Sequence, residues 1–210
     1  MSTTPRTAPT IANRLELTIA EATLLRVDFD RAHDRWKHRV SLVLPEASGV
    51  VCPLLLLESV EGNSQEDWPA SPPLQFVSIE TRPKKPPVAL LMGMAGGSHW
   101  SASIEQYPAE RALRFDIACR AKSRPENLGS LYRIAPRVQL QVPADGSTSV
   151  RFMAAGLTFE FAGESNADSP LPRMNAVSQE LRVLFDKPVT TEAQTYRWVY
   201  RLTGINSQLT

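Results

Sequence analysis

The amino-acid sequence predicts an all-β protein, a single antiparallel β-sandwich of about ten or more strands. Two observations support this class: apolar and polar residues alternate over most of the chain, and 17 prolines are spread along it. Alternation with a period of two is typical of strands that bury one face. Frequent proline suits many short strands rather than long helices. A closed or partly open β-barrel built from the same strands is the alternative fold.

The length of the chain fits one large domain. A sandwich or barrel of 210 residues is within the range that a single core supports. We expect residues 1–12 to form a mobile tail and residues 13–210 to form a single all-β domain. Residues 61–73 and 163–172 are rich in proline and other turn-forming residues. They predict two Pro-rich loops that cross between sheets, which favours a sandwich over a barrel.

A hairpin near the start of the domain is the clearest local prediction. In residues 23–31 the apolar side chains, among them Leu25 and Val27, share one face, and charged side chains share the other. Residues 32–34 then turn the chain, and residues 36–44 repeat the alternation. This arrangement is typical of two paired antiparallel strands.

The same alternation predicts the remaining strands. Residues 149–161 indicate two strands joined through Gly156 in a three-residue loop. Residues 174–186 fit either a helix or a strand, and we favour a strand because Asp-Lys-Pro ends the segment abruptly. The other predicted strands cover residues 14–20, 54–60, 74–80, 87–93, 99–105, 111–119, 130–134, 137–142 and 195–203.

Composition narrows the classes of function. A net charge of +1 argues against nucleic acid as a partner. The apolar run at 50–57 is too short to cross a membrane, so no membrane partner is expected. Cys52 and Cys119 form neither a disulfide framework nor a metal-binding pair. Because residues 1–14 lack an apolar secretion signal, we expect a cytoplasmic protein.

The glycine-rich stretch at 93–97 does not match a cofactor loop. A P-loop needs a lysine after its last glycine, and a dinucleotide loop needs three glycines in a fixed pattern before a helix. Gly96 and Gly97 are instead followed by Ser98, His99 and an alternating segment. The glycines therefore predict the entry into a strand, and we expect no cofactor.

One predicted strand face carries residues that could perform catalysis. It holds four polar side chains: His99, Ser101, Ser103 and Glu105. A hairpin with a short loop sets His99 opposite Asp116 or Ala118 of the next strand. An imidazole oriented by a carboxylate can act as a base toward Ser101 or water, which suggests a hydrolase or lyase using His99, Asp116, Ser101 or Glu105. A solvated outer face has the same residue types, and we favour that interpretation.

The leading hypothesis is a non-enzymatic ligand-binding or protein-interaction module. Its candidate binding residues are Trp68, His99, Ser101, Ser103 and Arg114. Trp68 lies in a proline-rich loop, where it either meets a partner or packs over the core. The expected partner is a small polar ligand or another protein. A third hypothesis is a barrel that encloses an apolar ligand among residues such as Phe115, Phe159 and Trp198.

The first hairpin contains residue types that bind divalent metals: Asp28, Asp30, His33 and Asp34. Neighbouring side chains on a pleated strand diverge, and this spacing matches no closed metal site. His38 falls on the apolar face, where a hydrogen-bonded core histidine is expected. We therefore predict no metal.

Overall fold

In the computed structural model, residues 13–45, 53–141, 147–185 and 193–205 are described, and 68% of these residues are β-strand, arranged in two antiparallel sheets. The strands of the first sheet are β1 (Arg14–Ala20), β2 (Thr23–Ala32), β3 (Arg35–Val43), β4 (Pro53–Ser59), β9 (Gly129–Ile134), β13 (Arg173–Val177) and β14 (Glu180–Leu184). Their spatial order is β1-β2-β3-β4-β9-β14-β13. The predicted tail at 1–12 lies outside the described residues.

The second sheet has eight strands and the order β10-β11-β12-β15-β8-β7-β6-β5. These strands are β5 (Phe76–Arg82), β6 (Lys85–Ala95), β7 (Ser98–Tyr107), β8 (Ala112–Ala121), β10 (Gln139–Gln141), β11 (Ser149–Ala154), β12 (Leu157–Glu164) and β15 (Gln194–Ile205). The two sheets do not close into a barrel. The predicted sandwich is confirmed, and the barrel alternative is wrong.

The two proline-rich segments connect the sheets, as predicted. Residues 60–75 lead from β4 in the first sheet to β5 in the second, and residues 165–172 lead from β12 to β13. The chain also changes sheet between β8 and β9, between β9 and β10, and between β14 and β15, which was not predicted. Within the described residues, no helix is long and apolar enough to span a membrane.

Two tight hairpin turns differ from the sequence prediction. Ala154 pairs with Leu157, so Ala155 and Gly156 alone form the turn, both with positive φ (50° and 77°). The loop therefore has two residues instead of three. Residues 174–186 contain a hairpin rather than one strand, because Ser178, with φ of 55°, turns β13 into β14. A two-residue turn joins two alternating segments, and their combined apolar spacing resembles a helical period.

Aromatic side chains fill the space between the sheets. The rings of Phe115 and Tyr200 stack with centroids 5.1 Å apart, and Trp198 packs edge-on against Trp100 at 6.1 Å. Phe115, Phe159 and Trp198, the proposed lining of an apolar cavity, are at most 1% exposed and belong to one packed cluster. The inter-sheet cavity beside Phe115 has a volume of only about 20 Å³. The barrel of the third hypothesis is therefore wrong, and these three residues belong to the packed core rather than to a cavity wall.

Candidate functional site

A groove runs along β7 on the outer face of the eight-stranded sheet. Residues paired directly across antiparallel strands point to the same face. One row of pairs is Met94, His99, Arg120 and Thr195, and the next row is Phe76, Met92, Ser101, Ala118 and Arg197. Ser101 and Ala118 are small, so the surface is lower there than at the larger side chains on either side. The resulting concavity, here called the β7 groove, has a volume of about 520 Å³.

One wall of the β7 groove is apolar and open to solvent. Leu90, Met92 and Met94 project outward from β6, with exposed fractions of 42%, 55% and 47%. Phe76 on the edge strand β5 pairs with Met92 and is 53% exposed. Four large apolar side chains therefore form one continuous surface on two adjacent strands.

The crossing loop holds this wall in place. The Gln75 side chain accepts a hydrogen bond from Met94 N at 2.9 Å and donates one to Met94 O at 3.1 Å. Gln75 N donates to Met92 O at 2.8 Å. A Cβ at Gly93 would lie 1.7 Å from Pro73 O, so only glycine allows the loop to approach β6 this closely. Phe76 is thereby fixed beside Met92.

The opposite wall is basic at one end. His99, Arg120 and Lys122 are exposed, and their side chains form no hydrogen bond or ion pair within the described part of the chain. They surround the turn at Gly96 and Gly97, whose φ values of 53° and 74° place both in the left-handed region. The glycine-rich stretch is the tight entry into β7 that the sequence predicts.

Farther along, an ion-pair network neutralises the same wall. Asp116 accepts hydrogen bonds from Arg197 Nε at 2.7 Å and Nη2 at 2.5 Å, and from Arg114 Nη1 at 3.0 Å. Partial burial opposes ionisation of Asp116, but the Arg197 hydrogen bonds and the Arg114 charge outweigh it and lower its pKa. Arg114 also donates to Glu164 at 2.9 Å. Asp116 is therefore an ion-paired carboxylate that is charged near pH 7.

The predicted opposition of His99 and Asp116 is wrong. His99 pairs with Arg120, and Asp116 pairs with Ser103, four residues along β7 and about 13 Å from His99. The four-residue turn Pro108–Arg111, with Arg111 at φ of 53°, sets this register. A longer turn than the sequence suggested shifts the whole pairing, so the predicted catalytic pair does not form.

Glu105, another residue of that hypothesis, lies farther along β7 beside Arg114 and Ser103, whereas Ser101 is two residues from His99 on the same face. Ser103 Oγ lies 3.4 Å from Glu105 Oε1, and Glu105 faces Arg114 across the strands. Of the five candidate binding residues, His99 and Ser101 line the β7 groove, whereas Ser103 and Arg114 lie beyond it. Ligand binding by these residues stays a prediction.

Trp68 is half-buried rather than exposed at the tip of its loop. Its ring centroid lies 6.2 Å from that of Trp100, a core residue of β7. The indole therefore packs over the edge of the core, which is the second of the two roles considered for it. A contact with a ligand through its remaining exposed surface stays a prediction.

The carboxylates proposed as metal ligands are engaged with arginine. Arg14 pairs with Asp28 at 3.1 Å, Arg39 with Asp30 at 2.6 Å, and Arg35 with Asp34 at 3.9 Å. His33 occupies the turn, with φ of 56°. Among the described residues, no group of three or more His, Cys, Asp or Glu side chains could hold a metal ion.

A buried polar cluster, which the sequence did not predict, lies between the sheets beneath the 60–75 loop. We call it the inner polar cluster: His38, Ser59, Glu61, Tyr132 and Tyr200. The Tyr132 hydroxyl lies 3.0 Å from His38 Nε2 and 2.6 Å from the Tyr200 hydroxyl. Ser59 Oγ donates to Glu61 Oε1 at 2.6 Å and accepts from His38 N at 2.9 Å.

Burial controls protonation in the inner polar cluster. It raises the pKa of Glu61 to about 7, against the lowering effects of the Ser59 hydrogen bond and the Arg35 and Lys37 charges. It lowers the pKa of His38 to about 4. His38 is therefore neutral near pH 7, whereas Glu61 changes charge there. The adjacent cavity, about 20 Å³, has room for about one water molecule.

The sequence contains a signal for the apolar wall of the β7 groove. In residues 88–95, Val-Ala-Leu-Leu-Met-Gly-Met-Ala, both alternating positions are apolar. A strand with one solvated face has polar residues at every second position, so this pattern indicates a second apolar face. The sequence matches no protein-family model and no curated protein.

Proposed function

We propose that this protein is a non-enzymatic interaction module that binds another protein through the β7 groove. The observation that carries the proposal is the apolar wall. Of the six large apolar side chains exposed in the described residues, four lie together on it: Phe76, Leu90, Met92 and Met94. Contiguous exposed apolar surface of this kind marks interaction sites, whereas single exposed apolar residues do not.

The chemistry of the wall also favours a macromolecular partner. Methionine side chains adapt to the shape of a partner because they are unbranched and polarizable. The groove is open along one side of the sheet, while small-molecule sites enclose most of their ligand. The low cysteine content, which gives no disulfide framework, supports a cytoplasmic location as part of this proposal.

A capture experiment with matched variants tests the proposal. Purified wild-type protein, Met92→Lys and Val177→Lys serve as baits in extracts of the source cells, and retained proteins are quantified by mass spectrometry. Val177 is 62% exposed on the other sheet, so Val177→Lys introduces the same charge away from the β7 groove. Any retained protein is then made recombinantly, and its Kd for all three baits is measured by calorimetry.

We expect the recombinant partner to bind wild type and Val177→Lys equally. Its affinity for Met92→Lys should fall by about tenfold or more, because a lysine ammonium would be buried against apolar surface. Equal binding to all three baits would contradict the proposal. Light scattering on the purified protein is a second test. If the wild type is a dimer and Met92→Lys is a monomer, the groove binds a second copy of this chain and not a different protein.

A further inference from the structure

The shape of the β7 groove favours an extended segment over a helix. The walls stand on β6 and β8, on either side of β7. Adjacent strands are about 4.8 Å apart, so the wall backbones are separated by roughly 10 Å. An α-helix with its side chains is about 10–12 Å wide and cannot descend between walls that carry Met92 and Arg120. An extended chain fits above the Ser101 floor.

The charged side chains at one end of the β7 groove are basic. Among the described residues no carboxylate lines the groove, while His99 and Arg120 do, and Lys122 stands at the same end. Asp67 lies close by, since a Cβ at Gly96 would be 2.7 Å from Asp67 Cβ, yet it forms no ion pair with Arg120 or Lys122 within the described residues. These cations remain available to an anionic group, unlike Arg114 and Arg197, which Asp116 engages.

The two walls set an alternating pattern on the occupant. Met94, His99 and Arg120 lie in one row, so the apolar wall and the guanidinium face each other across β7. Successive side chains of an extended chain point in opposite directions. A segment running along β7 would therefore send one residue to Met94 and the next to Arg120.

We infer that the partner presents an extended peptide segment in which apolar and acidic residues alternate. This inference rests on the proposed function and deepens it. The apolar side chains pack on Phe76, Met92 and Met94, and a carboxylate pairs with Arg120. The segment's charge complements the basic end of the groove, and its alternation matches the two unlike walls.

Methyl NMR on protein labelled at methionine tests the inference directly. Four blocked hexapeptides are titrated: acetyl-LDLDLD-amide, its lysine counterpart LKLKLK, its alanine counterpart ADADAD, and LLLDDD, which has the composition of the first without its alternation. Met92 and Met94 report on the groove. Met153 on β11 and the buried Met174 on β13 serve as internal controls.

We expect LDLDLD alone to shift the Met92 and Met94 methyl signals at low millimolar concentration or below. Arg120→Ala should weaken its binding by about fivefold, the effect of losing one exposed ion pair. Arg137→Ala, a change at an exposed arginine outside the groove, should leave its affinity unchanged.

Three results would overturn the inference. Equal binding of LKLKLK would show that the groove does not require acidic residues, and equal binding of LLLDDD would show that it does not require alternation. The absence of any methyl shift with LDLDLD would show that the groove does not bind such a segment. None of these would contradict the proposed function, which fails if the captured partner ignores Met92→Lys. The two failures are therefore distinguishable.

Discussion

Replacement of Glu61 by glutamine removes a carboxyl group whose pKa is raised by burial. Glu61 begins the 60–75 loop and accepts a hydrogen bond from Ser59. The charged groups that act on it are Arg35 and Lys37, which lower its pKa, and Glu58, which raises it. Its neighbours in the inner polar cluster, His38, Tyr132 and Tyr200, are neutral near pH 7 because burial lowers the pKa of the histidine and raises that of both tyrosines.

The size of the effect follows from the shift in pKa. Burial raises the Glu61 pKa from 4.5 to about 7, so the folded state binds this proton more tightly than the unfolded state. The associated stability is fully present below pH 4.5 and is lost as the pH rises through 7. The full shift corresponds to at most about 3 kcal/mol. Glutamine has nearly the same shape and no charge, so its contribution does not change with pH.

The assay is urea unfolding of wild type and Glu61→Gln between pH 5 and pH 8, with the free energy of unfolding obtained by linear extrapolation. The variant should gain stability relative to wild type as pH rises, by up to about 3 kcal/mol at pH 8. His38 is present in both proteins, so its own titration cancels in the difference. Glu126→Gln, a change at an exposed carboxylate, should track the wild type. A difference that stays constant across this pH range would refute the reasoning.

Three further predictions concern the interior and the wall. Tyr132→Phe should lower the free energy of unfolding by about 1–3 kcal/mol, because buried His38 loses a hydrogen-bond partner; Tyr107→Phe, at a half-exposed hydroxyl, should change it by less than about 0.5 kcal/mol, and equal losses would contradict this. His38→Gln should remove part of the stability that wild type loses as the pH falls from 6.5 toward 4, measured by urea unfolding extended down to pH 4; an unchanged loss of stability in acid would exclude His38 as its source. Gly93→Ala should destabilise the fold by about 2 kcal/mol or more, because its methyl group would meet the Pro73 carbonyl, and a melting temperature equal to that of wild type would disprove this close approach.

Much of the fold could be predicted because each half-buried strand shows its period directly. The hairpin of β2 and β3 follows from alternation on both sides of a short polar turn, and Leu25 and Val27 are fully buried as predicted. The crossing loops were also predictable, because proline and turn-forming residues cluster where the chain leaves one sheet for the other. These signals lie within short segments of the chain, so they can be read from a single sequence.

The pairing of β7 with β8 could not be predicted in the same way. Register depends on the number of residues in the turn. Arg111 in this turn adopts a left-handed conformation, which is not predictable from an arginine in the sequence. A shift by an even number of residues keeps every side chain on its expected face, and here it moves His99 from opposite Asp116 or Ala118 to opposite Arg120. The residue types on the face were therefore correct, but their neighbours across the strands were not.

The inner polar cluster was missed for a different reason. Glu61 lies in a polar, proline-rich segment that predicts a solvated loop, and its burial depends on how that loop folds back over β3 and β9. Non-local packing of this kind leaves no period in the sequence. His38 was expected in the core from its position on β3, and the structure adds Tyr132 and Tyr200 as its network.

Site-specific photocrosslinking in cells tests the central claim, that the β7 groove binds another protein. A benzophenone amino acid replaces Met92 in one variant and Val177 in the other, both at exposed apolar positions but on different sheets. We predict a discrete crosslinked product with a second protein from position 92 and none from position 177. Equal crosslinking from both positions, or crosslinking from position 177 alone, would contradict the claim.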